Sequence, residues 1–141
     1  MSSDGKYRAL FTVAAIYNLA WGTWVALFPS MYFDFIGMPA PTVPAIWQSV
    51  GMMVAVYGPG YWLISKNPEK YGAFVWIGII GKTLGPAGFL LSALMGRLPW
   101  IFGLTLLFND VIWWIPFWMF ALKYAPLKSV LADEQSAPLV D

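Results

Sequence analysis

Hydrophobic positions run along the chain in four long segments, separated by short stretches that concentrate proline and charge. Each segment is about 20 residues long, enough for a helix to cross a hydrocarbon core of about 30 Å. Backbone groups in hydrocarbon must be hydrogen-bonded within their own segment, so helices are predicted. The segments are Ala9–Phe28, Ala45–Ile64, Ala73–Met95 and Ile101–Leu122. The pattern predicts an all-α polytopic membrane protein, with four antiparallel transmembrane helices in residues 1–125 and a short tail in residues 126–141.

The connection between the first two segments, Pro29–Pro44, is apolar and contains four prolines, counting both ends. Residues 30–37 are predicted to form a short helix capped by Ser30. Its hydrophobic side chains are expected to lie against the bilayer; they are Tyr32, Phe33, Phe35 and Ile36. Two interpretations stay open: a connector stiffened by proline, or a lid over the outer mouth of the bundle.

Composition supports a membrane protein and removes several kinds of chemistry. Only 11% of the 141 residues are charged, whereas a soluble domain carries roughly a quarter. The net charge of +1 gives no basic field for nucleic acid. Cysteine and histidine are absent, which removes disulfides, Fe–S clusters, the usual haem and zinc ligands and the commonest general base. No metal or other cofactor is therefore predicted.

Basic residues are distributed unequally between the two sides that the four predicted spans define. Only Arg97 lies on one side, in the turn between the third and fourth spans. Six lie on the other side: Lys6, Arg8, Lys66, Lys70, Lys123 and Lys128. Basic residues favour the cytoplasmic side, so both termini are expected in the cytoplasm and the protein in the inner (cytoplasmic) membrane.

Two charged residues, Lys82 and Asp110, lie inside the third and fourth segments. Charges within a span are rare and costly, so each calls for a partner. The short turn between the segments makes them antiparallel neighbours, and a rise of 1.5 Å per residue puts the two Cα atoms about 6 Å apart in depth. We therefore expect the two side chains to approach within about 4 Å, directly or through one bound water or ligand atom.

Other polar groups are predicted at a similar depth, and together with the pair they form a candidate ligand-binding site. Pro59, Pro86 and Pro116 are expected to bend their helices and open a cavity there. A stripe of small residues on the third helix is typical of close helix packing; its members are Gly81, Gly85, Gly88 and Ser92. The predicted site residues are Lys82, Asp110, Asn18, Asn109, Tyr17, Trp21, Tyr57 and Trp113.

The layout resembles the DoxX-like families of small bacterial membrane proteins. The resemblance rests on the four spans and on the stretch Tyr17–Gly22 followed by Phe28 and Pro29. It implies a four-helix membrane bundle and transfers no catalytic residue.

Three functions stay open. The first is binding or transport of a small or lipid-like ligand, such as a quinone, at the mid-membrane site. The second is an accessory subunit of a larger membrane complex, and a homo-oligomer is also compatible with the pattern. The third is a membrane-embedded enzyme, in which Asp110 and Lys82 would do the acid–base work. The pair itself is interpreted either as structural, joining two helices, or as part of a site.

Overall fold

A computed structural model describes residues 3–127, and these contain helices and no strand. The α-helices are α1 Ser3–Leu27, α2 Met31–Ile36, α3 Pro44–Lys66, α4 Pro68–Tyr71, α5 Val75–Leu94, α6 Gly103–Leu106 and α7 Ile112–Tyr124. Two 3₁₀-helical turns, Gly72–Phe74 and Trp100–Phe102, precede α5 and α6, and a π-helical turn, Leu107–Val111, joins α6 to α7. The predicted all-α class is confirmed.

Three stretches within the described residues are long and apolar enough to cross a membrane: Asp4–Leu27, Pro68–Leu94 and Trp100–Tyr124. They overlap the first, third and fourth predicted segments, as expected for a membrane protein. The second segment forms α3, which has 23 residues but is not among the three. Polar and small residues lower the hydropathy of α3, among them Gln48 and the stretch 58–62. That α3 crosses the membrane stays a prediction.

The chain divides into two compact units, Met1–Lys66 and Asn67–Asp141. The structure describes residues 3–66 of the first unit and 67–127 of the second. The first unit contains α1 to α3 and the second contains α4 to α7. The predicted domain of residues 1–125 covers both units, and most of the predicted tail lies outside the described residues.

In the first unit, α1 and α3 pack as an antiparallel pair joined near both ends. The Arg8 guanidinium donates to the carbonyl oxygens of Lys66 and, at 3.4 Å, of Ser65. These carbonyls belong to the last turn of α3, where a cation also interacts favourably with the helix dipole. Near the other end, Gln48 Nε2 donates to the Ala26 carbonyl at 3.0 Å. The contacts fix the register of the two helices.

Glycines bring the backbones of α1 and α3 into direct contact. A Cβ added at Gly22 would lie 2.5 Å from the Gly51 carbonyl oxygen and 2.6 Å from the Ala55 nitrogen. A Cβ added at Gly58 would lie 2.5 Å from Leu19 Cγ. Small residues at a helix interface permit this close approach. The close packing that glycine permits is therefore between α1 and α3.

The stripe of small residues predicted to pack against a helix lies on α5, and two of its members, Gly85 and Gly88, have different surroundings. At Gly88 an added Cβ would meet no described atom within 4 Å. At Gly85 it would meet the Asp110 carboxylate, 3.3 Å from Oδ2. The expectation of close helix packing is wrong for Gly88, which borders open space among the described residues, whereas at Gly85 a side chain of the neighbouring helical stretch approaches closely.

The short helix α2 forms where the sequence predicted it, but with two differences. Ser30 makes no side-chain cap hydrogen bond, because its own backbone is helical at φ −81° and ψ −30°, whereas a capping residue is usually extended. Tyr32 and Phe33 are buried instead of lying against the bilayer, while Phe35 is 83% exposed. The helix ends at Gly37, whose φ of +67° is the left-handed conformation that glycine adopts readily.

The inward face of α2 belongs to an aromatic cluster of the first unit. The Tyr32 ring stacks on Trp47 with 5.5 Å between centroids, and Trp21 and Trp24 meet it edge-on at 6.2 and 6.1 Å. Burial, and to a smaller extent Tyr17, raises the pKa of the Tyr32 hydroxyl to about 12. The cluster is a packed aromatic core.

In the second unit, α5 and α7 are antiparallel neighbours, as the short turn between the predicted segments implied. Near the start of α5, Trp76 Nε1 donates to the Ala125 carbonyl at 2.8 Å. Near its end, the Phe89 ring lies 6.0 Å from the Trp100 ring. Pro86 lies within α5 and Pro116 within α7, as Pro59 lies within α3 of the first unit.

Candidate functional site

The predicted ion pair is present in the second unit. Lys82 is on α5 and Asp110 is on the π-helical turn, and Lys82 Nζ lies 3.6 Å from Asp110 Oδ1. The two residues are only 6% and 7% exposed. A charge within a membrane span is costly unless it is paired, and each of these residues compensates the other.

Asn109 links the two charged side chains. Lys82 Nζ donates to the Asn109 backbone carbonyl at 2.6 Å, and Asn109 Nδ2 donates to Asp110 Oδ1 at 3.2 Å. Lys82 Nζ also lies 5.9 Å from the centre of the Phe117 ring, within the range of a cation–π contact. The ammonium and the carboxylate are therefore both partnered within the protein, and the group carries no net charge.

The π-helical turn shapes the backbone at this point. It covers Leu107–Val111, and the Ile112 N–H donates to the Leu107 carbonyl, five residues earlier. Side chains take two of the carbonyls in this turn: Asn109 accepts from Lys82, and Phe108 accepts from Trp113 Nε1 at 3.1 Å. π-Helical turns are rare and occur frequently at functional sites.

Two buried polar atoms near the pair lack a hydrogen-bond partner among the described residues. They are Thr105 Oγ1 and Asn109 Oδ1, and Thr105 is only 8% exposed. Thr105 is on α6 and Asn109 is four residues later, on the π-helical turn that follows α6 without a break. Leaving a buried polar group without a hydrogen bond costs about 1–3 kcal/mol, so both atoms keep a capacity for hydrogen bonding that the described residues do not use. We call Lys82, Thr105, Asn109 and Asp110 the Lys82–Asp110 site.

Thr105 was not predicted as a site residue. The available signal was its spacing of four residues from Asn109, inside an otherwise apolar stretch. A threonine within a helix usually bonds to the carbonyl of the preceding turn. Thr83 on α5 forms such a bond, at 2.7 Å to the Ile79 carbonyl, and its hydroxyl also accepts from Trp114 Nε1 at 2.9 Å.

The eight predicted site residues are divided between the two units. The second unit brings Lys82, Asn109 and Asp110 together, with Trp113 bonded to the same turn. The other four lie in the first unit: Tyr17, Asn18 and Trp21 on α1 and Tyr57 on α3. A polar layer that joins all four predicted spans stays a prediction.

The predicted residues of the first unit have partners of their own. Asn18 is 2% exposed, and its Nδ2 donates to the Ala14 carbonyl of the same helix at 2.7 Å. The Trp21 ring belongs to the aromatic cluster around Tyr32, and the Tyr57 ring lies 6.0 Å from that of Tyr61.

Comparison of the chain with models of known protein families, with curated proteins and with solved structures finds no match. The resemblance to DoxX-like proteins therefore stays a prediction.

The Lys82–Asp110 site combines two opposite charges with polar oxygen atoms that can form hydrogen bonds. Among residues 3–127 no group of three or more His, Cys, Asp or Glu side chains could hold a metal ion. What the arrangement can do is hold a small polar group next to Thr105 and Asn109.

Proposed function

We propose that this is a small integral membrane protein that binds a small or lipid-like ligand at the Lys82–Asp110 site. The observation that carries the proposal is the buried ion pair flanked by two buried oxygen atoms without a hydrogen-bond partner among the described residues. Together they form a polar site in which Thr105 Oγ1 and Asn109 Oδ1 can each form a further hydrogen bond.

A purely structural role explains this arrangement less well. Interhelical polar contacts in membranes contribute on average only about 0.6 kcal/mol, and a buried ion pair is weak evidence for stability because of its desolvation cost. A structural pair also has no need of the unsatisfied oxygens of Thr105 and Asn109, each of which opposes folding.

The proposed topology has four spans. In it α3 crosses the membrane with the three apolar stretches, the helices form an antiparallel bundle, and both termini lie in the cytoplasm. The basic residues support it, because four spans leave Arg97 alone on the outer side. The length of α3, 23 residues, is sufficient for a span.

Native mass spectrometry of the protein, purified in mild detergent, tests the binding function. We expect a small molecule to remain with the wild-type protein and to be lost from the double variant Lys82→Met, Asp110→Leu. Lys70→Met, which removes an exposed lysine of α4, is the matched control and should retain the molecule. Stoichiometric foreign chains with no small molecule would instead identify an accessory subunit and contradict the proposal.

A further inference from the structure

We infer that the ligand presents a neutral hydroxyl group, carried on an apolar chain, to Thr105 and Asn109. The inference rests on the proposed function and specifies the class of ligand. It follows from the donors and acceptors that the Lys82–Asp110 site leaves unused.

Charge balance indicates a neutral ligand group. The Lys82 ammonium is 3.6 Å from the Asp110 carboxylate and also donates to the Asn109 carbonyl. An added carboxylate or phosphate would bring a net negative charge into a site that is more than nine-tenths buried at both charged residues. Burying an uncompensated charge is far more costly than burying a hydrogen-bonded neutral group.

The unused atoms indicate that the ligand must donate a hydrogen bond, because Asn109 Oδ1 can only accept one. The Asn109 amide directs its Nδ2 to Asp110, because a carboxylate only accepts, and this leaves Oδ1 as an acceptor. Thr105 Oγ1 can both donate and accept. A ligand hydroxyl can donate to Asn109 Oδ1 and accept from Thr105, whereas a ketone or quinone carbonyl can only accept.

The surroundings indicate an apolar carrier. Large hydrophobic side chains on the same helical stretch are between 42% and 56% exposed; they are Leu104, Leu107, Phe108 and Val111. Such a surface suits hydrocarbon. The shared chemistry is a hydroxyl on a long apolar chain, and it has two sources in a membrane: a lipid alcohol such as a diacylglycerol, or the reduced, phenolic form of a quinone.

The test compares three photoreactive probes that share one diazirine-bearing chain: a fatty alcohol, its methyl ether and the corresponding fatty acid. Each is cross-linked to the purified protein, and the labelled peptides are identified by mass spectrometry. We expect the alcohol to label residues 82–113 most strongly. The ether should bind about threefold to tenfold more weakly, because it cannot donate to Asn109. Competition by a diacylglycerol or by a hydroquinone with an isoprenoid tail then identifies the source.

Thr105→Val separates a ligand contact from a structural hydroxyl. We expect it to reduce alcohol labelling about threefold to tenfold while Tm stays constant or rises, because it removes a buried hydroxyl that has no hydrogen-bond partner among residues 3–127. Thr12→Val is the control: its hydroxyl donates to the Arg8 carbonyl at 2.9 Å in the first unit, and labelling should not change.

The outcomes distinguish the two proposals. If no probe labels residues 82–113, both the binding function and the hydroxyl fail. If the ether or the acid labels as strongly as the alcohol, the site binds a ligand but the hydroxyl assignment is wrong. A Thr105→Val protein with lower Tm and unchanged alcohol labelling also overturns the hydroxyl, because Thr105 is then structural.

Discussion

Lys82 and Asp110 compensate each other, so the effect of changing one depends on the other. When the Lys82 ammonium is removed, the Asp110 carboxylate keeps the hydrogen bond from Asn109 Nδ2 but loses its counter-charge. A charge stranded in a buried position is strongly destabilising, whereas apolar replacement of a whole pair is often neutral.

We therefore expect Lys82→Met to lower the free energy of unfolding by about 3–5 kcal/mol. Adding Asp110→Leu should restore most of that loss, because no buried charge is then left unpaired. Unfolding followed by tryptophan fluorescence in detergent measures both, with Lys70→Met as the exposed control. A single variant as stable as wild type would show that the pair contributes nothing to folding.

For individual residues, the sequence was sufficient to predict the ion pair of Lys82 and Asp110, but it did not predict the buried hydroxyl of Thr105. Lys82 and Asp110 could be paired because a short turn fixes two antiparallel helices and depth follows from residue counting. Thr105 carried no comparable signal, because whether a helical threonine bonds to its own backbone depends on the local geometry.

The π-helical turn is the element on which the site depends. It directs the Asn109 carbonyl to Lys82 and the Phe108 carbonyl to Trp113. The sequence predicted an ordinary helix over Leu107–Val111, with a bend at Pro116 further along. Hydrophobic periodicity does not reveal the change from α-helical to π-helical backbone hydrogen bonds here. The side chains before and after the turn are apolar, so the pattern reads as one helix.

Trp113→Phe tests whether the indole bond supports this turn. The variant keeps an aromatic ring but removes the donor to the Phe108 carbonyl. We expect a loss of about 1 kcal/mol in the free energy of unfolding, the usual net value of one hydrogen bond. Trp100→Phe, at a 62% exposed position, is the matched control and should change stability by less. Equal stability of both variants would argue against a role for the Trp113 indole.

Glycine contacts between α1 and α3 give a second test of an element. A Cβ at Gly22 would lie 2.5 Å from a backbone oxygen, which cannot move without shifting α3. We expect Gly22→Ala to lower the free energy of unfolding by about 1–3 kcal/mol, as overpacking does. Gly88→Ala, where the added methyl meets no described atom within 4 Å, should cost nothing comparable. If both alanines are tolerated equally, the close packing of α1 and α3 is wrong.

Glycine positions in the sequence predicted close packing without identifying the right helices. The predicted stripe on α5 had small residues at helical spacing, yet its exposed Gly85 and Gly88 make no contact with a neighbouring backbone. On α3, Gly51 and Gly58 are seven residues apart, which places them on one face. Choosing between these stripes requires knowledge of which helices pair, and spacing alone does not supply it.

For the whole molecule, the sequence predicted helices in all four apolar segments, and each is helical in the structure. Whether the second segment crosses the membrane depends on the free-energy cost of placing the polar and small residues of α3 in hydrocarbon. The three apolar stretches therefore leave the number of spans, three or four, to be decided. If α3 does not cross the membrane, the second and third connections change to the opposite side. They are the connections that contain Glu69 and Arg97.

Single cysteines distinguish these topologies, because the chain has none of its own. We choose exposed positions in three connections: Thr42, Glu69 and Arg97. Glu69 is preferable to Asn67, whose side chain caps α4 by accepting from the Lys70 N–H at 3.0 Å. With four spans and cytoplasmic termini, an impermeant thiol reagent added to intact cells should label Thr42→Cys and Arg97→Cys but not Glu69→Cys.

Each alternative gives a different pattern with the same three variants. If α3 does not cross and the N-terminus is cytoplasmic, Thr42→Cys and Glu69→Cys react while Arg97→Cys is shielded. Four spans in the inverted orientation would leave Glu69→Cys as the one reactive variant. After permeabilisation all three should react, which shows that protection came from the membrane and not from burial. Removing Arg97 does not bias the result against the proposed topology, because it increases the excess of basic residues on the cytoplasmic side.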